Sequence, residues 1–156
     1  MCIRDSGTTE DLDTSKQYDS ILYIDVIEHI EDDRGELARA ASLIRQGGHL
    51  IVLVPAHQFL WTPFDEAIGH FRRYNRSGLE ALAPPGCDLS RNIYLDAAGI
   101  TLSLGNRLML RQSDPTPGQI RFWDRVVVPI SRVLDVLTLR RLGKSCLAVW
   151  RKVGDN

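Results

Sequence analysis

The sequence predicts an α/β domain built on a largely parallel sheet, and three observations carry that reading. Ile21-Leu22-Tyr23-Ile24 is a continuous β-prone apolar run that ends at Asp25; unbroken rather than alternating apolarity marks a strand covered on both faces. Leu37, Ala40, Ala41 and Ile44 fall at i, i+3, i+4 and i+7 and form one apolar stripe of a helix. His49-Leu50-Ile51-Val52-Leu53-Val54 is a second buried strand, halted at Pro55. Strand, helix and strand in this order make a βαβ unit, because parallel neighbours need a crossover connection.

The helix is expected over about residues 32–45. Glu31, Asp32 and Asp33 supply an N-cap and favourable negative charge at its start. Arg45 suits the negative end of its dipole, and Gly47-Gly48 can take a left-handed stop. Residues 56–75 are irregular and rich in large polar and aromatic groups. A short helix follows over Ser77 to Leu82, ended by Pro84-Pro85-Gly86. Leu89 to Leu95 reads as an edge strand, Ala97 to Leu110 as a helix, and Asp114-Pro115-Thr116-Pro117-Gly118 as a loop. Ile120, Trp123, Val127, Ile130, Leu134 and Leu137 recur at helical spacing, with Pro129 starting or kinking a second helix. Ser145 to Trp150 closes the sheet.

Composition narrows the function classes. The chain has 156 residues, is 44% apolar and 25% charged, and carries a net charge of −1, ordinary values for one globular domain. A near-zero charge argues against a general nucleic-acid coat protein. The longest apolar run, Leu50 to Ala56, is far short of the 18 or so residues of a membrane span. Three widely spaced cysteines, Cys2, Cys87 and Cys146, give neither a metal knuckle nor a disulfide framework, so a reducing cytoplasm is expected. Charge is uneven: residues 1–36 hold 3 basic and 11 acidic side chains, residues 111–156 hold 9 basic and 4 acidic. The basic, apolar stripe over 119–141 suits core packing, a homodimer contact or a peripheral helix on an acidic lipid surface.

In an open α/β sheet, ligands bind outside the carboxyl ends of the strands. Those ends are Asp25 to His29 and Pro55 to His57. If the chain turns helical after the first strand, Asp25, Glu28 and His29 share one face. His29 is then a general base oriented by the carboxylates, or the trio binds a divalent cation, or Glu28 caps the next helix and His29 bonds to backbone. Gly69-His70-Phe71-Arg72-Arg73-Tyr74 is the second candidate: its arginines either clamp a carboxylate or phosphate, or pair with the acidic front of the protein. No G-x-G occurs anywhere, so neither a dinucleotide fingerprint nor a P-loop is present.

The run Tyr18-Asp19-Ser20-Ile21-Leu22-Tyr23-Ile24-Asp25-Val26-Ile27-Glu28-His29-Ile30, followed by a helix and Gly47-Gly48-His49-Leu50-Ile51-Val52-Leu53-Val54-Pro55, closely resembles class I S-adenosylmethionine-dependent methyltransferases. Arg45-Gln46-Gly47-Gly48 stands where Arg-Pro-Gly-Gly is common in that family, and residues 69–74 resemble a G-H-x-R-R-Y signature of one bacterial branch. The resemblance runs from about Gly7 to the end. It implies a Rossmann-like sheet of seven strands, of which this chain holds the fourth to seventh, the last antiparallel. The family's glycine-rich cofactor loop would precede Gly7, so residues 7–156 are expected to be the carboxyl-terminal part of the domain. Met1 to Ser6 fits nothing in the family and reads as a non-native leader.

The resemblance further implies cofactor contacts at Thr8, Thr9, Asp25 and Val26, with a Thr at position 8 where the family often has Asp. Glu28 and His29 would face the acceptor as catalytic residues. His57, His70, Arg72, Arg73 and Tyr74 would hold the acceptor, a small molecule, lipid or sugar precursor. Some relatives bind a divalent metal through a Glu-x-x-Glu-His set; here the corresponding set is Asp25, Glu28 and His29, with Mg²⁺ as the candidate ion. The other expectation is a catalytically silent binding or dimerisation module that keeps half of the fold.

Overall fold

A computed structural model describes residues 15–100, 103 and 117–154. The βαβ unit forms as expected. Strand β1 (Tyr18–Ile24) leads to helix α1 (Asp33–Ser42) and then to β2 (Ile44–Pro55), which pairs with β1 in parallel. Asp32 caps α1 by accepting from the Gly35 amide at 3.0 Å.

One boundary differs from expectation. Helix α1 stops at Ser42, and Arg45, Gly47 and Gly48 belong to β2. Gly47 does take a left-handed φ of +80°, but inside the strand and not as a helix stop. The register shows why: Tyr18 faces Ile44 and Ser20 faces His49, so β2 carries extra residues at its start. A bulge of this kind needs glycine's freedom, and a Cβ at Gly48 would stand 2.7 Å from the Asp19 carbonyl oxygen.

After two short helices, α2 (Pro63–Ala67) and α3 (Arg76–Glu80), the chain enters β3 (Cys87–Leu95). A helix opens at 97–100; the rest of the helix expected to Leu110, and most of the 114–118 loop, lie outside the described residues. Pro117 and Gly118 are helical, beginning α4 (Pro117–Phe122), which continues through a π-turn (Trp123–Val127) into α5 (Val128–Leu137). Pro129 is the second residue of α5, directly after the π-turn, so the residue without an amide donor falls where the helical hydrogen-bond ladder is already shifted. Strand β4 (Ser145–Lys152) then inserts between β2 and β3, antiparallel to both, giving the order β1-β2-β4-β3. The expected antiparallel last strand is present, and β3 is an edge strand.

The core lies on one face of this sheet. Leu50, Val52 and Val54 of β2 and Cys146, Ala148 and Trp150 of β4 point into it, and Leu37, Ala40 and Leu79 of α1 and α3 cover it. The alternate residues of β2 are only partly buried. β1 departs further from the expected two-sided burial: Leu22 is 55% and Ile24 54% exposed, and only Tyr23 is buried. Its apolar run fits a central strand, yet among the described residues β1 is an edge with one neighbour.

Helix α5 leaves much of its apolar stripe outside the core. Ser131 and Asp135 are buried, whereas Ile130, Val133, Val136 and Leu137 are exposed, Leu137 at 71%. The Asp135 carboxylate accepts from the amides of Asp96 at 3.1 Å and Ala97 at 2.8 Å, and the Ser131 hydroxyl donates to Asp96 at 2.5 Å. The polar face is drawn inward because it satisfies backbone donors where β3 passes into the next helix. Of the apolar stripe, Val127 is buried and Trp123 partly so; Ile120 lies outside the described side chains.

Candidate functional site

Three of the four strands run the same way, and each delivers a residue with left-handed backbone just beyond its carboxyl end: Asp25 (φ 51°), His57 (φ 64°) and Asp96 (φ 65°). Non-glycine residues avoid this region, and such strain gathers at functional edges. The candidate site lies at this edge.

The turn after β1 is not the regular helix assumed from spacing. Asp25 takes left-handed backbone, Val26 has φ −129°, and only Ile27–His29 form a single 3-10 turn. Asp25, Glu28 and His29 are therefore not aligned on a regular helix, although the donor atoms of Glu28 and His29 still lie within 4.8 Å of each other. Glu28 is fully buried, while Asp25, Val26 and His29 are exposed. Neither carboxylate oxygen of Glu28 has a hydrogen-bond partner among the described residues. Burial pushes its carboxyl up to about 7, helped by the charges of Asp25 and Asp65 and opposed by its own backbone amide and Arg73.

His70 stands beside it. The Gly69-His70 turn follows α2, and the His70 side chain is nearly buried. Its Nδ1 meets Asp65 Oδ1 at 2.9 Å, which turns Nε2 toward Glu28, 3.8 Å from Oε1. The His29 ring packs edge-on against His70 with centroids 4.5 Å apart. The Phe71 amide ties the two segments together by donating to the Glu28 carbonyl at 2.8 Å.

Asp65, which sequence reasoning missed, organises this loop. Fully buried in α2, it accepts from Arg73 Nε at 2.8 Å, Arg73 Nη2 at 2.9 Å, the Thr62 amide at 2.8 Å and the Thr62 hydroxyl at 2.9 Å, besides holding His70. Burial opposes its ionisation, but the bonds from Arg73 and Thr62 prevail and hold its carboxyl at about 2. The signal was legible in principle: Thr62-Pro63-Phe64-Asp65 is a helix-start pattern, with His70 and Arg73 within a turn or two.

The expected acceptor-holding residues divide. Arg73 is committed to Asp65. Arg72 Nη1 pairs with Asp33 Oδ2 at 2.7 Å, and its Nη2 donates to the Glu31 carbonyl at 2.8 Å. The Tyr74 hydroxyl donates to the same Asp33 oxygen at 2.8 Å, and burial together with Asp33 raises its pKa far above the ordinary value. These three groups face protein carboxylates: Arg72 and Tyr74 meet Asp33 of the acidic front, whereas Arg73 pairs with the buried Asp65 of its own loop. His57 stacks on Tyr94 at 4.8 Å, its Nε2 buried without a partner among the described residues. Burial lowers its pKa, with the Gly143 backbone opposing and the Arg73 charge assisting. Thr8 and Thr9 lie outside the described residues, as does the leader expected at 1–6.

Among the described residues, one group could hold a metal: Glu28, His29 and His70, whose donor atoms lie within 4.8 Å of one another. Asp25 is not in it, although its carboxyl lies close enough to feel His29 and His70 and to act on Glu28; His70 completes the group. Two imidazoles and one carboxylate do not suit Mg²⁺, which prefers oxygen ligands.

No family model and no curated protein matches the sequence. Among solved structures, the chain resembles one in the Haloferax volcanii complex between the Trm112 methyltransferase activator and the methyltransferase, with TM-score 0.53 and 12% identity over 96% of this chain and 60% of that one. Weaker likenesses are to Haemonchus contortus phosphoethanolamine N-methyltransferase 2 in complex with S-adenosyl-L-methionine (TM-score 0.45, 14% identity, 88% of this chain and 34% of that one) and to a SAM-dependent methyltransferase from Archaeoglobus fulgidus (TM-score 0.43, 14% identity, 88% and 60%). At such identities the likeness establishes the fold, a Rossmann-like methyltransferase sheet, and the chain spans 60% of the length of the first structure.

Proposed function

We propose that this chain forms the acceptor side of a class I methyltransferase that uses S-adenosylmethionine, acting on a small molecule, lipid or sugar precursor. The observation that carries the reading is Glu28: a buried carboxyl with no hydrogen-bond partner among the described residues, its pKa raised to about 7, at the carboxyl edge of a methyltransferase-like sheet. Such a group can take a proton from an acceptor hydroxyl or amine near pH 7. His29, exposed at the mouth, is the second proton acceptor. His70 is aimed by Asp65, and His57 offers its ring to the acceptor. Arg72, Arg73 and Tyr74 brace these segments through Asp33 and Asp65.

When bound, the cofactor supplies the electrophilic methyl group; this chain's part is to place the acceptor and accept its proton. The exposed apolar side chains of Leu22 and Ile24 support a further element packed on that face of the sheet, beside the free edge that β1 presents among the described residues. On this reading the 156 residues alone bind the cofactor poorly and are inactive. A cytoplasmic location accords with the sequence, and no helix among the described residues is long and apolar enough to cross a membrane.

The second reading, a silent binding or dimerisation module, draws on the outward apolar face of α5, flanked by the exposed Arg125 and Arg132. That face suits a homodimer or a peripheral lipid contact through 119–141. Labelled-methyl transfer separates the readings: loss of transfer in Glu28→Gln supports the first, and absence of any transfer by the native gene product supports the second.

A further inference from the structure

We propose that Glu28, His29 and His70 form a binding site for a divalent transition-metal ion. Their donor atoms converge within 4.8 Å from two separate segments, the turn after β1 and the turn after α2. Glu28 is the decisive member. It is fully buried, and both its carboxylate oxygens lack a hydrogen-bond partner among the described residues. A buried anion left in this state is costly, and a cation between Glu28 and the imidazoles would satisfy it.

The surroundings have the form of a supported metal site. Asp65 accepts the Nδ1 proton of His70 at 2.9 Å, which leaves the Nε2 lone pair directed at the Glu28 carboxylate. A carboxylate behind a ligating imidazole fixes its tautomer and orientation in this way. Asp65 is itself locked by Arg73 and Thr62, so the imidazole is pre-aimed. The 3.8 Å between His70 Nε2 and Glu28 Oε1 needs only a small contraction for both to sit about 2.1 Å from one ion. His29 is exposed, so the third ligand lies on the solvent side and coordination positions stay open there. Two nitrogens and one carboxylate favour Mn²⁺, Fe²⁺, Co²⁺ or Zn²⁺ over Mg²⁺ and Ca²⁺.

The site shares Glu28, His29 and His70 with the proposed acceptor side, but ion binding is read without any methyl transfer, so each can fail alone. The test is titration of the chelator-stripped chain with Co²⁺, followed by calorimetry and visible ligand-field absorption. One ion per chain is expected, with histidine-nitrogen ligation visible in the spectrum. His29→Ala, an exposed change that spares the fold, should weaken binding at least 10-fold. Glu28→Gln should abolish it, and Asp65→Asn should weaken it roughly 10- to 100-fold. No Co²⁺ uptake at millimolar concentration would overturn the proposal. So would binding left unchanged by His29→Ala, which would place the ion on other ligands.

Discussion

Asp65 and Arg73 form a buried bidentate pair, Nε to Oδ1 at 2.8 Å and Nη2 to Oδ2 at 2.9 Å, which closes the loop after β2 on itself, while the Phe71 amide ties that loop to the turn after β1 at the Glu28 carbonyl. Because Asp65 also holds His70, one carboxylate couples loop stability to site geometry. Arg73→Ala would leave Asp65 as an uncompensated buried charge and should cost about 3–5 kcal/mol. Arg73→Lys keeps the charge but not the fork and should recover only part of it. Urea unfolding of the three proteins measures both; a loss below 1 kcal/mol or so for Arg73→Ala would show that the pair is not the brace.

The pH dependence of stability should bear the mark of Glu28. Its carboxyl is raised from 4.5 to about 7 in the fold, so the folded chain holds that proton more tightly than the unfolded chain. The contribution is full below pH 4.5 and is lost as pH rises to about 7, by about 3 kcal/mol. Glu28→Gln should flatten this fall in metal-free buffer. Asp65, held at about 2, acts oppositely: its contribution is present above 3.8 and disappears only as pH drops toward 2. Denaturation across pH 4 to 8 with chelator distinguishes them. An unchanged slope in Glu28→Gln would contradict the assignment.

Helix α5 inverts the usual ranking of substitutions. Asp135→Ala removes the acceptor for the Asp96 and Ala97 amides and should cost about 1–3 kcal/mol. Val133→Glu, at a residue 60% exposed, should change stability by no more than about 0.5 kcal/mol. The same Val133→Glu should abolish self-association in sedimentation, or co-sedimentation with anionic vesicles. If neither association exists in the parent chain, the apolar face has no partner of those kinds.

The sequence disclosed the elements whose signals are local. The apolar runs of β1, β2 and β4 and the Leu37-Ala40-Ala41 stripe of α1 are written in consecutive or helically spaced residues, and all are present. Where two local signals compete, tertiary pairing decides: Gly47-Gly48 suits a helix stop, but the pairing of β2 with β1 recruits both into a bulge. The Asp25-Glu28-His29 face failed because left-handed backbone at Asp25 breaks the assumed helix before it starts. Asp65 was missed because its importance lies in tertiary partners, two arginine nitrogens and an imidazole, that no single-residue pattern reveals. The placement of α5 is likewise tertiary: its polar face is fixed by the amides of Asp96 and Ala97, far away in the chain.

The 156-residue chain should show little or no affinity for S-adenosylmethionine, since Asp25 and Val26 are the only cofactor contacts expected among the described residues. Calorimetry detecting micromolar binding would contradict this and would require a pocket built from residues not assigned to it here.

The most direct test is transfer of labelled methyl from S-adenosylmethionine by the native gene product to small molecules of its own cell extract, compared with its Glu28→Gln form. Incorporation that falls by two or more orders of magnitude in Glu28→Gln, with the fold intact, is the expected result. Equal incorporation by both proteins, or none by either, would contradict the account.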